Sequence, residues 1–340
     1  MPSSHATALA SPAPLQWEGL LDVAATLTGR PREELSAQAR VLLHGAPSEG
    51  RHPPGVSDLN ANGSPLQLLL AGRAERWASR LIGDPCFDEP DAVARAHASR
   101  AALGAALAAG RAQALTAPLM DTLDVVVPWD EASLREYPTG ILRLALPLGT
   151  PGVGLYASPP PGAGAWDAAR RWVRALLPRP EEALRLVSTL APGCRLLGVG
   201  LEGESPARAR AKLYWRLEAP APLSSFALPL LEAPTLIAFL TSVLVRGAVP
   251  PRALTFSAGF ELRTGALVDA KADVCTRSAG LSLEQAVDVL RTQTDVLPLH
   301  PFPLRDPLPL LHARRVGIGC LGLGIAPGGV HRLNVYLFQQ

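Results

Sequence analysis

A chain of 340 residues, 48% hydrophobic and 18% charged, holds enough apolar material for one large core or two small ones, which excludes a disordered or low-complexity protein. Its formal net charge of +2 carries neither a nucleic-acid footprint nor the mark of an acidic partner. Four cysteines without CxxC spacing and seven histidines without an HExxH pattern argue against a structural zinc.

Taken in chain order, residues 1–19 lack the basic and continuously apolar regions of a secretory signal. No stretch reaches the roughly 18 uncharged apolar residues that a bilayer crossing needs. The longest candidate, residues 223–245, is interrupted by Ser224, Ser225, Glu232, Pro234 and Thr235. The chain therefore reads as cytoplasmic, without membrane insertion. Its 34 prolines and 30 glycines punctuate apolar segments and read as turns.

Residues 1–117 read as a mainly helical segment. Pro31 suits the first turn of a helix through Glu33, Leu35, Ala39 and Leu42, and residues 66–81 continue with apolar positions at helical spacing. Residues 48–64 form a polar connection, and the alanine-rich run 91–114 is helical by propensity. Strand signals begin after Pro118, in residues 123–128, 141–148 (with a single Arg143) and 152–157. Helices are expected over 166–177 and over 180–190, where Glu181 and Glu182 suit the first turn. Helical segments are also expected within 222–246, and Ser282 with Gln285 fits a capping box opening a helix toward Leu290.

The most informative stretch is residues 208–216, RARAKLYWR. In a strand, alternate residues face opposite sides. One face carries Arg208, Arg210, Lys212, Tyr214 and Arg216, and the other Ala209, Ala211, Leu213 and Trp215. Similar stripes recur: twelve residues beyond Gly200, Gly259 and Gly322 stand Lys212, Lys271 and Asn334, flanked at ten and fourteen by Arg210 and Tyr214, Asp269 and Asp273, Arg332 and Tyr336. Repeated hairpins with attached helices follow from such spacing. Their economical arrangement is an antiparallel barrel with helices outside and polar stripes within. A lumen of arginine, lysine, tyrosine and asparagine is costly to bury empty and suits an anionic ligand.

The Arg210-x-Lys212-x-Tyr214 stripe and its variant Arg332-x-Asn334-x-Tyr336 resemble those of the ABBA aromatic prenyltransferases, including the dimethylallyltryptophan-synthase type and the cyanobactin enzymes. The resemblance implies an α+β fold in which repeated αββα units form an antiparallel β-barrel with a polar lumen (the PT barrel), here over residues 118–340. It implies transfer of an allylic prenyl group from a prenyl diphosphate to an aromatic acceptor, either a small indole-type molecule or a peptide. Arg143, Arg210, Lys212, Tyr214, Lys271, Arg332, Asn334 and Tyr336 would grip the diphosphate. Glu131 would be the base, although its polar run reads equally as a surface turn. Trp129, with Tyr214 and Tyr336, would shield the allylic cation. No cofactor is implied beyond the co-substrate, and no metal: magnesium would be dispensable. Asp269 and Asp273 depart from the pattern, since carboxylates repel a diphosphate unless paired. The alternative is a non-catalytic barrel that binds an isoprenoid or another anionic ligand.

Overall fold

Alternation gives strands such as Arg210–Leu217 one large apolar face and one polar face, and a closed sheet with helices outside serves both. The computed structural model describes residues 17–44, 57–162, 164–219, 233–244, 250–326 and 329–340. Five hairpins pair in sequence: β1 (Leu66–Gly72) with β2 (Trp77–Gly83), β3 (Leu142–Pro147) with β4 (Val153–Ala157), β5 (Cys194–Gly203) with β6 (Arg210–Leu217), β7 (Leu254–Glu261) with β8 (Leu267–Cys275), and β9 (Val316–Ala326) with β10 (Val330–Gln339). Every strand is antiparallel to its neighbours, and β1 pairs with β10 to close the ring, with Leu69 opposite Tyr336 and Ala71 opposite Asn334. Closure leaves no sheet edge exposed.

Helices separate the hairpins: α1 (Glu18–Thr28), α2 (Arg32–Leu43), α3 (Ala92–Ala109), α4 (Thr116–Val126), α5 (Glu131–Arg135), α6 (Ala165–Leu176), α7 (Glu181–Leu190), α8 (Ala233–Val243), α9 (Leu283–Val296) and α10 (Leu308–Ala313). They cover the outside of the barrel: α1 lies on β1, β9 and β10, α2 on β2 and β3, α4 on β4, α6 on β5, and α9 on β9 and β10. The core is this layer between helices and sheet, where Leu68, Leu144, Leu213, Trp215 and Phe256 are fully buried. Each such apolar side chain contributes about 1.5–3 kcal/mol. Trp215 and Phe256 stack with ring centroids 6.2 Å apart, on the face opposite the lumen. Asp91 caps α3, and Ser282 and Gln285 form the expected capping box at α9. None of the described helices is long and apolar enough to cross a membrane.

Three expectations are corrected. Residues 66–81, read as helical, form β1 and most of β2. The first hairpin thus comes from within the first 117 residues, and a division at 118 falls inside the barrel. Residues 123–126 complete α4, with Val127 as its C-cap, instead of forming a strand, because Leu119, Leu123 and Val126 share the buried face of a helix packed against α6. The twelve-residue spacing is a real pairing in two hairpins, Gly200 opposite Lys212 and Gly322 opposite Asn334. In the third, Gly259 stands opposite Asp269, and Lys271 opposite Ser257. The glycines leave room for large polar neighbours: a Cβ on Gly322 would overlap Asp273, and one on Gly259 would overlap Asp269. Residues 222–232 and 245–246 of the expected helical segments lie outside the described residues.

Candidate functional site

The inward stripes enclose a chamber of about 310 Å³. At one rim the ion pairs are concentrated. Glu202 on β5 is 5% exposed and accepts from Arg80 Nη1 at 2.5 Å and Tyr156 OH at 3.1 Å through Oε2, while Oε1 faces Arg210 Nη2 at 2.5 Å and Lys212 Nζ at 2.8 Å. Burial alone would raise its carboxyl, but Arg80, Lys212 and Arg210 outweigh this and hold it well below the ordinary range. Asp269 on β8 is 3% exposed and accepts from Arg210 Nη1 at 2.6 Å and Arg332 Nη1 at 3.2 Å. Against the upward push of burial, Lys212, Arg332 and Arg210 bring it down to about 2.

Below this rim lie two lysines and three tyrosines. Lys212 is so thoroughly buried that desolvation lowers it to about 7, despite the opposing pull of Glu202 and Asp269. Lys271 donates to Tyr336 OH at 2.5 Å, forms an ion pair with Asp273, and stands 5.1 Å and 5.9 Å from the ring centroids of Tyr336 and Tyr214. Tyr156 meets Tyr214 edge-on, with centroids 5.8 Å apart. Burial raises all three phenols, so each is a neutral donor. The far end is largely apolar, built from Leu59, Leu69, Ile82 and Ala157, with Gln67 and Arg143 at its edge. Arg143 is tied to Ser158 Oγ at 2.7 Å and paired with Asp58.

Six cations among the described residues line this chamber (Arg73, Arg80, Arg143, Lys212, Lys271 and Arg332) with Arg210 at its rim, beside the carboxylates Glu202, Asp269 and Asp273. Among the described residues, Arg332 Nε, Asn334 Nδ2 and Ser257 Oγ are buried donors without a protein partner, as Asp273 Oδ1 is an acceptor without one. Orphaned donors beside surplus positive charge describe an oxyanion site. Among the described residues no group of three or more His, Cys, Asp or Glu is arranged to hold a metal ion.

Eight of the residues expected from the sequence converge here: Arg143, Lys212, Tyr214, Lys271, Arg332, Asn334 and Tyr336 line the chamber, and Arg210 lies at its rim. Asp269 and Asp273 also face inward, each paired with a cation. Two expectations fail. Glu131 opens α5 on the outer surface, 67% exposed and bonded to Arg135 at 2.9 Å; Asp130 beside it caps the helix, as in a surface turn. Trp129 belongs to the outer helical layer, with the Arg100 guanidinium 4.6 Å over its ring and its Nε1 donating to Leu123 O. Arg80, Tyr156 and Glu202 are among the inward residues that were not anticipated. Glu202 stands two residues after Gly200, on the same face, and Tyr156 is the one large polar side chain in GVGLYAS, so period two alone could have flagged both.

No family model matches the sequence, and no curated protein matches it significantly. Solved structures do. A 6-dimethylallyl tryptophan synthase superposes with a TM-score of 0.77 at 18% identity, covering 96% of this chain and 97% of that one. The 5-dimethylallyl tryptophan synthase from Streptomyces coelicolor, in complex with DMASPP and Trp, gives 0.73 at 19%, covering 95% and 94%. The prenyltransferase PriB, in a ternary complex with L-tryptophan and dimethylallyl thiolodiphosphate, gives 0.72 at 21%, covering 94% of each chain. At these identities the likeness establishes the fold, a ten-stranded antiparallel barrel ringed by helices.

Proposed function

We propose that this chain is an aromatic prenyltransferase that moves an allylic prenyl group from a prenyl diphosphate to an indole-type or peptide acceptor without a metal ion. One observation carries the reading: arginine, lysine and tyrosine side chains on alternate positions of neighbouring strands converge in a single chamber whose other end is apolar. Arg210, Lys212, Lys271, Arg332, Asn334 and the three tyrosines stabilise the leaving diphosphate as the allylic C–O bond breaks. Tyr156, Tyr214 and Tyr336 screen the allylic cation from water and attract it through their ring faces. The acceptor ring attacks that cation, and a carboxylate takes the displaced ring proton. Asp273 replaces Glu131 in this role, since it lines the chamber and meets only Lys271 and Tyr336, whereas Glu202 is saturated by four donors. The resemblance noted in the sequence and the likeness to tryptophan prenyltransferases solved with DMASPP and Trp support the donor and the acceptor class.

A second reading, a non-catalytic isoprenoid-binding barrel, is favoured by the pairing of Glu202 and Asp269 with the cations a diphosphate would need. One experiment separates the two. Purified protein is incubated with dimethylallyl diphosphate and a panel of tryptophan, indoles and tryptophan-containing peptides, in EDTA, and products are read by mass. An added prenyl unit establishes transfer; donor binding by calorimetry with no product on any acceptor supports the second reading.

A further inference from the structure

Two of the four cysteines face each other on neighbouring strands. Cys275, the last residue of β8, is directly opposite Cys320 of β9. The next pair along, Thr276 with Gly319, carries a backbone hydrogen bond of 3.0 Å, so the cysteines occupy the non-hydrogen-bonded position where side chains approach most closely. Cα atoms at such a position are about 4.5 Å apart, inside the roughly 4.4–6.8 Å window that a disulfide spans. Both are free thiols at residues of intermediate burial, with the Cys320 sulfur set deeper in the wall than that of Cys275. Cys275 follows Asp273 on the inward stripe, and Cys320 lines the chamber beside its other cross-strand partner, Tyr336.

We infer that Cys275 and Cys320 form a peroxide-sensitive dithiol in the chamber wall, which closes reversibly to a disulfide. This stands independently of the proposed transferase activity. The surroundings divide the labour between the sulfurs. Cys275 receives hydrogen bonds from Cys320, from Ser278 and from the Arg277 backbone, which together bring its thiol down to about 5. Cys320 keeps its proton, because it donates to Cys275 and is buried, both of which raise it. The Cys275 thiolate attacks one oxygen of hydrogen peroxide, the O–O bond breaks, hydroxide leaves, and Cys275 becomes a sulfenic acid. The Cys320 sulfur then attacks the Cys275 sulfur, and its proton departs with the sulfenic oxygen as water. Two thiols are oxidised and one peroxide is reduced.

The test treats the full chain with hydrogen peroxide at neutral pH and counts thiols after denaturation. We expect four thiols to fall to two, a mass loss of two hydrogens, a linked peptide joining Cys275 to Cys320, full reversal by dithiothreitol, and a higher melting midpoint for the oxidised form. In Cys320→Ser, dimedone should trap a sulfenic acid at Cys275. In Cys275→Ser, the peroxide reaction should slow at least tenfold. Persistence of four thiols, over-oxidation of Cys275 in wild type with Cys320 untouched, or a link through Cys86 or Cys194 overturns the inference. Because peptide mapping reads the bond directly, a variant that fails to fold leaves the wild-type measurement decisive.

Discussion

At the scale of single residues, the chamber behaves as a set of coupled charges, and Lys212 reports the coupling. In the free protein burial holds it near 7. A bound diphosphate adds negative charge and raises it, so binding takes up a proton at pH values above about 7. Affinity for a diphosphate is therefore full below pH 7 and declines as pH climbs, up to roughly tenfold per unit. Calorimetry at pH 8 in two buffers of different ionisation heat should show uptake approaching one proton, absent at pH 6. Lys212→Met should abolish it and weaken binding by about 1.5–3 kcal/mol. Unchanged affinity between pH 6 and 9 would contradict the role. Asp273→Asn should lower turnover by on the order of a hundredfold while leaving donor affinity within a few fold, because it removes a proton acceptor and not a cation. Equal losses in both would mean that Asp273 serves only to place Lys271. Outside the chamber, Asp84 is fully buried, bonded to Ser57 Oγ at 2.7 Å, with its second oxygen unpartnered among the described residues. Burial raises its carboxyl to about 7 against the pull of Ser57 and Arg95. The folded chain then holds a proton that the unfolded chain has lost between pH 4 and 7, so this group's contribution to stability falls as pH rises through that window. Asp84→Asn should stabilise the protein by about 1–3 kcal/mol at pH 8 and not at pH 4.5, measured by urea unfolding.

At the scale of elements, what the sequence discloses depends on how different the two faces of a strand are. In β6, Arg210, Lys212 and Tyr214 alternate with Ala211, Leu213 and Trp215, and both the strand and its orientation can be read directly. In β1, Leu66, Leu68 and Leu70 meet the outer core while Leu69 and Ala71 line the chamber, so apart from Gln67 the strand is apolar on both faces. A strand buried on both faces has no period of two to display, and its leucines fall equally on helical spacing. That ambiguity hid the first hairpin and with it Arg80. Glu131 and Trp129 misled for the opposite reason: carboxylate and indole are the right chemistry, but nothing in a local run says which side of the barrel it reaches. Helix and sheet are also joined at single points. The N–H of Gly152, between β3 and β4, donates to the carbonyl of Gly110 at the end of α3 at 2.8 Å, and a Cβ on Gly110 would overlap the Gly152 carbonyl. Both groups are backbone and cannot step aside. Gly110→Ala should cost about 1–3 kcal/mol, seen as a lower midpoint in thermal unfolding followed by circular dichroism.

At the scale of the molecule, the ring joins its first strand to its last, and the outer helical layer follows suit. The backbone N–H of Leu20 in α1 donates to Gln339 Oε1 of β10 at 2.9 Å, and Gln339 Nε2 reaches the carbonyls of Arg314 and Arg315. The two ends of the described chain therefore lie side by side, on a sheet in which every pairing except the closing one between β1 and β10 joins strands that follow one another in sequence. Such a ring has no intrinsic starting point. A circular permutant that links Gln340 to Trp17 through a short glycine-serine bridge and opens the exposed connection at Gly162 would keep all ten strand pairings, since a side chain at Gly162 would meet nothing within 4 Å. We expect it to fold, with the same ultraviolet circular dichroism and a melting midpoint within several degrees of the parent. A permutant opened instead within β6 should not fold. Its order of synthesis would differ and its geometry would not, so identity of the permuted and parent folds would mean that the barrel is specified by its cyclic sequence of hairpins, whichever of them is made first.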